Sequence, residues 1–368
     1  MNRVLTPLGS EQRLDWLQLA RTPGVGPLTF WRLLARCGAA SEALAALPAL
    51  SQGRLRPAPR RDAAQELEAC LAKGGRILGA LEPAYPDLLR QIDNPPPVLS
   101  VLGDAALWRR PCVAIVGARE ASAAGLRIAA DIAHGLGEAG VTVVSGLARG
   151  VDASAHRASL ATGTAAVLAG GLAQPYPPQN LELFREICAR GAVVSTAPLQ
   201  AVGRAQDFPR RNYVISGLSL GVVVAEAAVR SGSLITARAA AEQGREVMAV
   251  PSSPLDPRGR GGNALLREGA ALVESAEDVL THLNAAPGLL RRAAQAAPPP
   301  PAPSPPPNMD DHVLERLARL LSPTPMHVNE LARLLEARAA TVTAALLELE
   351  LAGRAASLPG GFYVSALN

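Results

Sequence analysis

The sequence predicts an α/β protein: a doubly wound, mostly parallel sheet in the middle, a small helical domain before it, and a module of three helices and a hairpin after it. Three observations predict this. Short apolar runs alternate with helix-length segments between residues 111 and 284. Eight of the ten residues Pro298–Pro307 are proline, which cannot pair in a sheet or continue a helix, so an extended spacer sets off the end of the chain. Apolar residues make up 48% of the 368, enough for more than one packed core.

Each element follows in order. Residues 1–75 read as helical, with Leu14 and Leu17, then Leu28, Trp31 and Leu34 at helical spacing, interrupted by the turn Thr22-Pro23-Gly24-Val25-Gly26-Pro27. Residues 76–110 read as a connector with one short strand at Val98–Leu102. Residues 111–285 carry six strand candidates: Cys112–Val116, Val141–Ser145, Ala165–Ala169, Ala192–Ser195, Gly221–Ala225 and Glu246–Val250. They are short and apolar on both faces, as strands covered by helices on each side must be. The segments between them, such as Ala121–Ala139 and Leu234–Gly244, are long enough for helices, which makes the domain Rossmann-like. Residues 286–309 form the proline-rich linker. In residues 310–368, helices at Val313–Leu321, Val328–Leu335 and Ala340–Leu351 precede a hairpin of Ala355–Leu358 and Phe362–Val364, the winged-helix pattern.

Bulk properties narrow the class. The formal charge is +4 and the pI about 9.2, mildly basic, and Lys73 is the only lysine. Arginine presents a planar fork that grips phosphate at two points. No apolar run reaches the ~18 residues of a membrane span, and the N-terminus lacks the apolar stretch of a signal peptide, so a cytoplasmic protein is expected. Cys37, Cys70, Cys112 and Cys188 are far apart, without a CxxC pair or a nearby His. That spacing argues against zinc and against a disulfide framework; no metal and no cofactor are expected.

Three strand ends carry the chemistry. The first runs Val113-Ala114-Ile115-Val116-Gly117-Ala118-Arg119, with Gly117 permitting a tight turn and Ser122 placed to cap the next helix. It is not a GxGxxG dinucleotide site, because the next glycine comes only at Gly125. The second runs Ser145-Gly146-Leu147-Ala148-Arg149-Gly150-Val151-Asp152, with His156 one helical turn beyond Asp152. A hydrolytic triad of Ser145, Asp152 and His156 is disfavoured, since Ser145 lacks the Gly-x-Ser-x-Gly elbow; Asp152 as a helix N-cap with a structural His156 is the better reading. The third leads from Glu226 into Arg230-Ser231-Gly232-Ser233 at a helix start, where backbone donors suit an anion. Beside these lie Tyr176-Pro177-Pro178-Gln179-Asn180 and Phe208-Pro209-Arg210-Arg211-Asn212. An aromatic ring next to guanidinium groups is what a single-strand groove requires. The candidate contacts are Arg119, Arg149, Phe208, Arg210, Arg211 and Asn212; no residue is assigned a catalytic role.

In order along the chain, these motifs, together with Gly261-Gly262-Asn263 and Gly269-Ala270, resemble the DprA (Smf) family from about residue 80 to about 275. The turn at Arg21–Pro27 is similar to that family's helix-hairpin-helix, SAM-like N-terminal domain, and the C-terminal module to its winged helix. The resemblance implies a homodimer, joined through the Rossmann-like domain, that binds single-stranded DNA, shields it and helps load the recombinase RecA in natural transformation. It also implies Arg119 and then Arg211 as the leading DNA contacts, with Gly117, Ser145, Gly146, Ser231, Gly232 and Ser233 shaping a phosphate pocket. Three positions depart from the family pattern: Thr196 in place of an acid, Tyr213 in place of an arginine, and Ser252 in place of a glycine. Tyr213 removes a positive charge from the expected DNA face.

A competing reading is a nucleotide-processing enzyme that hydrolyses a glycosidic bond, with Glu226 as a buried base. Glu226 as a helix-cap partner suits the sequence better, because Arg230-Ser231-Gly232-Ser233 replaces the glycine-rich turn of such enzymes. The stretch leading into the third helix of the winged-helix module, Ala337-Arg338-Ala339-Ala340-Thr341-Val342-Thr343, carries one arginine and then small residues, thin for reading duplex DNA; a protein contact fits it at least as well.

Overall fold

The computed structural model describes residues 5, 7–285, 311–358 and 360–366; the proline-rich stretch falls outside them. The chain divides into two compact units, one formed by its helical beginning with its C-terminal module, the other by the central sheet.

The chain opens with four helices, α1 (Ser10–Ala20), α2 (Pro27–Cys37), α3 (Ala40–Leu50) and α4 (Arg60–Ala72). Proline at the first position of α2 starts that helix without losing a hydrogen bond. The buried stripe consists of Trp16, Leu17, Leu19, Phe30, Leu33, Leu34 and Leu47. It is displaced from the predicted one: Leu14, Leu28 and Trp31 are only partly covered. The reason is an aromatic cluster, in which Trp16 packs against Phe30 at 5.1 Å and Trp31 edges onto both.

The central unit follows: β1 (Arg76–Gly79), α5 (Asp87–Arg90), β2 (Val98–Gly103), β3 (Cys112–Val116), α6 (Ala123–Glu138), β4 (Thr142–Ser145), α7 (Val151–Ser159), β5 (Thr164–Leu168), α8 (Leu181–Arg190), β6 (Ala192–Ser195), α9 (Asp207–Gly217), β7 (Gly221–Val224), α10 (Ser233–Glu242), β8 (Glu246–Ala249), α11 (Arg260–Arg267), β9 (Ala271–Leu272) and α12 (Ala276–Ala285). All nine strands form one sheet in the order β1-β2-β6-β5-β4-β3-β7-β8-β9. The six predicted strands lie within one residue of their expected limits. Residues 76–110, expected to be a connector, add two strands to the sheet edge: β2 runs antiparallel to β6, and β1 antiparallel to β2. The remaining pairs are parallel.

The position of β3 decides the chemistry. It has β4 on one side and β7 on the other, with Val113 opposite Val143 and Val116 opposite Val224. The chain winds away from β3 in both directions, so this is the topological switch point of the sheet, where open α/β folds leave a crevice at the strand ends. Beneath it Val113, Ile115, Ile132, Leu136, Val143, Val223 and Met248 are fully buried. Each such side chain contributes roughly 1.5–3 kcal/mol on burial, which makes a rigid floor.

The C-terminal module comprises α13 (Asp311–Leu320), β10 (Met326–His327), α14 (Val328–Leu334), α15 (Ala339–Leu351), β11 (Ala355–Leu358) and β12 (Phe362–Ser365). Its sheet has the order β10-β12-β11 around a core of Leu317, Leu331, Val342, Leu346, Leu349 and Tyr363. The predicted helices and hairpin are present; the two-residue β10 carries too little pattern to be read from sequence.

Candidate nucleic-acid interface

The turns leaving β3, β4 and β7 are tied to one another. Ala118 N donates to Glu226 O at 2.7 Å, and Val151 N donates to Ala118 O at 3.2 Å. A Cβ on Gly117 would stand 2.6 Å from Val151 Cγ2, and one on Gly146 would stand 2.0 Å from a nitrogen of Arg211, so both turns close only around glycine. Glu226 caps α6: its carboxylate accepts from Ser122 N at 3.0 Å and from Ser122 Oγ at 2.5 Å, while Ser122 Oγ accepts from Gly125 N. Both carboxylate oxygens are engaged in holding β7 to α6, the cap-partner role.

Above this rim lie two adjoining clefts. One, of about 250 Å³, is lined by residues that include Arg119, Arg149, Tyr176, Gln179, Phe208 and Arg211. The other, of about 380 Å³, includes Gly117, Arg119, Phe208, Asn212, Ser231 and Gly232. Arg119, Ala148, Phe208 and Arg211 belong to both. The Arg119 guanidinium lies over the Phe208 ring at 5.1 Å, and that of Arg211 faces the same ring at 5.5 Å. Each cation is drawn to the negative face of the ring.

The two arginines stand in opposite surroundings. Arg119 is exposed, whereas Arg211 is 7% exposed and donates to Gly146 O, to Val167 O at 3.2 Å and to Asn212 Oδ1 at 3.0 Å. Burial pushes the Arg211 pKa down, the neighbouring Asp152 opposes this, and the charge of Arg119 adds to the lowering. Burial likewise pushes Asp152 up, against the pull of Arg211 and of the amides of Ala148 and Gly146. Arg211 thus props the pocket from below, and Arg119 meets solvent above it.

The other predicted residues divide between wall and support. Arg149 is exposed beside Glu120 at 3.7 Å, and Arg210 is exposed on α9. Asn212 Nδ2 donates to Gly232 O at 3.2 Å, fixing α9 to the turn before α10, where Ser231 Oγ and Ser233 Oγ are 2.7 Å apart. Ser145 does not reach the clefts. It is fully buried, and its hydroxyl donates to Ile115 O at 2.6 Å, because β4 presents it toward β3 rather than toward the rim. Asp152 is not the N-cap of α7; that position is Gly150, and Asp152 accepts from Gly146 N at 3.1 Å and Ala148 N at 3.3 Å, bracing the turn before its own helix. His156 is buried with Nδ1 2.7 Å from Thr164 Oγ1. The Ser145 hydroxyl thus donates to Ile115 O while His156 Nδ1 pairs with Thr164.

Tyr176 was not among the predicted contacts. It is 57% exposed on the wall of the first cleft. The Tyr-Pro-x-x-Asn motif was its signal, and the motif's Asn180 braces the adjacent turn by donating to Leu147 O and Ala148 O. Tyr213 faces away: its hydroxyl donates to Asp93 O at 3.4 Å, so its replacement of an arginine does not alter the cleft walls. No cluster of metal-ligating side chains occurs among the described residues, nor is any single helix there long and apolar enough to cross a membrane.

A Rossmann-like domain with a basic, aromatic-lined rim at the switch point of its sheet, carried with a helical domain and a winged helix, defines the class of this α/β protein. The chain belongs to the DNA recombination-mediator protein A family, whose profile matches residues 76–284. The DprA-like N-terminal HHH domain matches residues 10–69 and the DprA winged helix domain residues 296–361. Protein Smf of Escherichia coli is 38% identical over 76% of this chain and 74% of its own length. DNA processing protein DprA of Bacillus subtilis is 41% identical over 54% of this chain and 68% of its own. The X-ray structure of DNA processing protein A from Streptococcus pneumoniae superposes with a TM-score of 0.63 at 33% identity, covering 74% of this chain and 98% of that one. The Helicobacter pylori protein, described for its single-stranded DNA binding mode, superposes with a TM-score of 0.53 at 26% identity, covering 57% and 96%.

Proposed function

We propose that the protein binds single-stranded DNA across the two rim clefts, protects it, and delivers it to the recombinase RecA during natural transformation, acting in the cytoplasm as a homodimer joined through the Rossmann-like domain, without turnover. The observation that carries this reading is the pair of guanidinium groups on the Phe208 ring: one solvent-facing, one built into the floor. Phosphates meet Arg119, with Arg149 and Arg210 extending the positive track, while bases stack on Tyr176 or on the ring that Arg119 vacates. Stacking tolerates any base, and a strand held this way is bound without sequence preference. The single-strand binding described for the Helicobacter pylori relative supports it. The test is an electrophoretic shift with a single-stranded oligonucleotide across a salt series. The affinity should fall with salt at a slope near −0.7 per phosphate contacted. A salt-independent affinity, or Arg119→Ala binding as tightly as the parent, overturns the reading.

A further inference from the structure

In the helical domain, α2 carries Arg32 and Arg36 one turn apart, and both are committed to the winged-helix module. Arg32 Nη1 donates to Glu350 Oε2 at 2.7 Å, and its other terminal nitrogen to the Tyr363 hydroxyl. Arg36 pairs with Glu348. A third arginine, Arg54, lies against Gly353 in the turn after α15. Gly353 has φ +64°, a conformation that favours glycine in any case. Three arginines of the helical domain therefore converge on the acidic end of α15 and the turn after it. In a winged helix this is the helix that reads duplex DNA; here its end bears Glu348 and Glu350, which repel phosphate.

The cluster around Leu317, Leu331 and Leu346 contains no residue of α1, α2 or α3, while Leu347 and Leu351 of α15 are buried outside it. A cavity of about 210 Å³ remains in the seam, lined by Ala49, Leu50, Gln52, Glu348, Leu349 and Ala352. The Arg32–Glu350 side chains retain 15% and 26% of their exposure, and those of Arg36–Glu348 20% and 19%. Partly exposed pairs of this kind are weak and screened by salt. Opening frees Arg32 and Arg36 of their carboxylates beside Arg54, and a guanidinium fork fits phosphate as well as carboxylate.

We propose that Arg32, Arg36 and Arg54 form a second site for the phosphates of single-stranded nucleic acid, which Glu348 and Glu350 of the chain's own winged helix cover until a strand displaces them. The site is independent of the rim clefts, and its test reads out at α2 whatever Arg119 does. Hydrogen–deuterium exchange on the full chain decides it. Glu348→Gln with Glu350→Gln should raise exchange in residues 27–37 about tenfold, as the loss of two pairs of this kind implies. Oligothymidine added to that variant should protect residues 27–37 again, and Arg32→Ala, Arg36→Ala and Arg54→Ala added together should abolish the protection. In the parent, oligothymidine should raise exchange in residues 339–358. If the double variant exchanges throughout residues 311–358 and has lost its fold, Glu348→Gln alone gives the same reading. Exchange at α2 that rises with the acid substitutions but stays unprotected by oligothymidine overturns the site; exchange that does not rise overturns the cover.

Discussion

The guanidinium of Arg211 fills the place a side chain on Gly146 would need: a Cβ there would lie 2.0 Å from its Nη1, and the Gly146 carbonyl accepts a hydrogen bond from the same group. Gly146→Ala must therefore push Arg211 away from Asp152. Urea denaturation should show a loss of about 1–3 kcal/mol, the usual cost of overpacking. A stability within error of the parent would mean that the floor of the pocket can move.

Arg119 and Arg211 face one ring but should fail differently. Arg119→Ala removes an exposed cation, so thermal stability should change by no more than about 0.5 kcal/mol. Single-strand affinity should fall about tenfold for every sequence, with the salt slope shallower by about 0.7. Arg211→Ala leaves Asp152 buried without its cation and should cost about 3–5 kcal/mol of stability. Equal stability losses in the two variants would contradict the division between contact and support.

Tyr176 is exposed enough that Tyr176→Ala should leave the melting temperature unchanged. If a base stacks on it, binding should weaken by about 1–3 kcal/mol, and Tyr176→Phe should restore most of the loss. Fluorescence anisotropy with labelled oligonucleotide measures both.

His156 sets a pH dependence. Burial, with the charge of Arg211 next in size, pushes its pKa down to about 3, below the value near 6.5 of an unfolded histidine. Between those values the unfolded chain binds a proton that the native chain does not. Stability from this group is therefore complete above pH 6.5 and declines as pH falls toward 3, by about 1.4 kcal/mol per unit. His156→Asn should flatten the stability–pH profile over that window whatever it does to absolute stability. Parallel profiles for parent and variant would show that His156 protonates in the folded state.

Much of this was legible along the chain because the causes are local. Cys112–Val116 and Gly221–Val224 announce themselves as buried strands by having no polar face, and Ser122 announces a helix start by its cap chemistry. Arg76–Gly79 was missed because four residues beside a turn carry too little pattern, and its strand exists only through pairing with Val98–Gly103. Ser145 and Arg119 each follow an apolar strand, yet one is sealed and the other exposed.

The sequence by itself determined the alternation of strands and helices, the glycine and arginine turns at the strand ends, and the family, since period, turn chemistry and motif order are properties of neighbouring residues. The tertiary structure alone decided that β3 lies between β4 and β7, that Arg211 is buried and hydrogen-bonded while Arg119 is exposed, and that the winged helix shows its acids to Arg32 and Arg36. Those outcomes depend on carbonyls and carboxylates tens to hundreds of residues distant, and burial and charge pairing belong to positions in space, which no stretch of sequence specifies on its own.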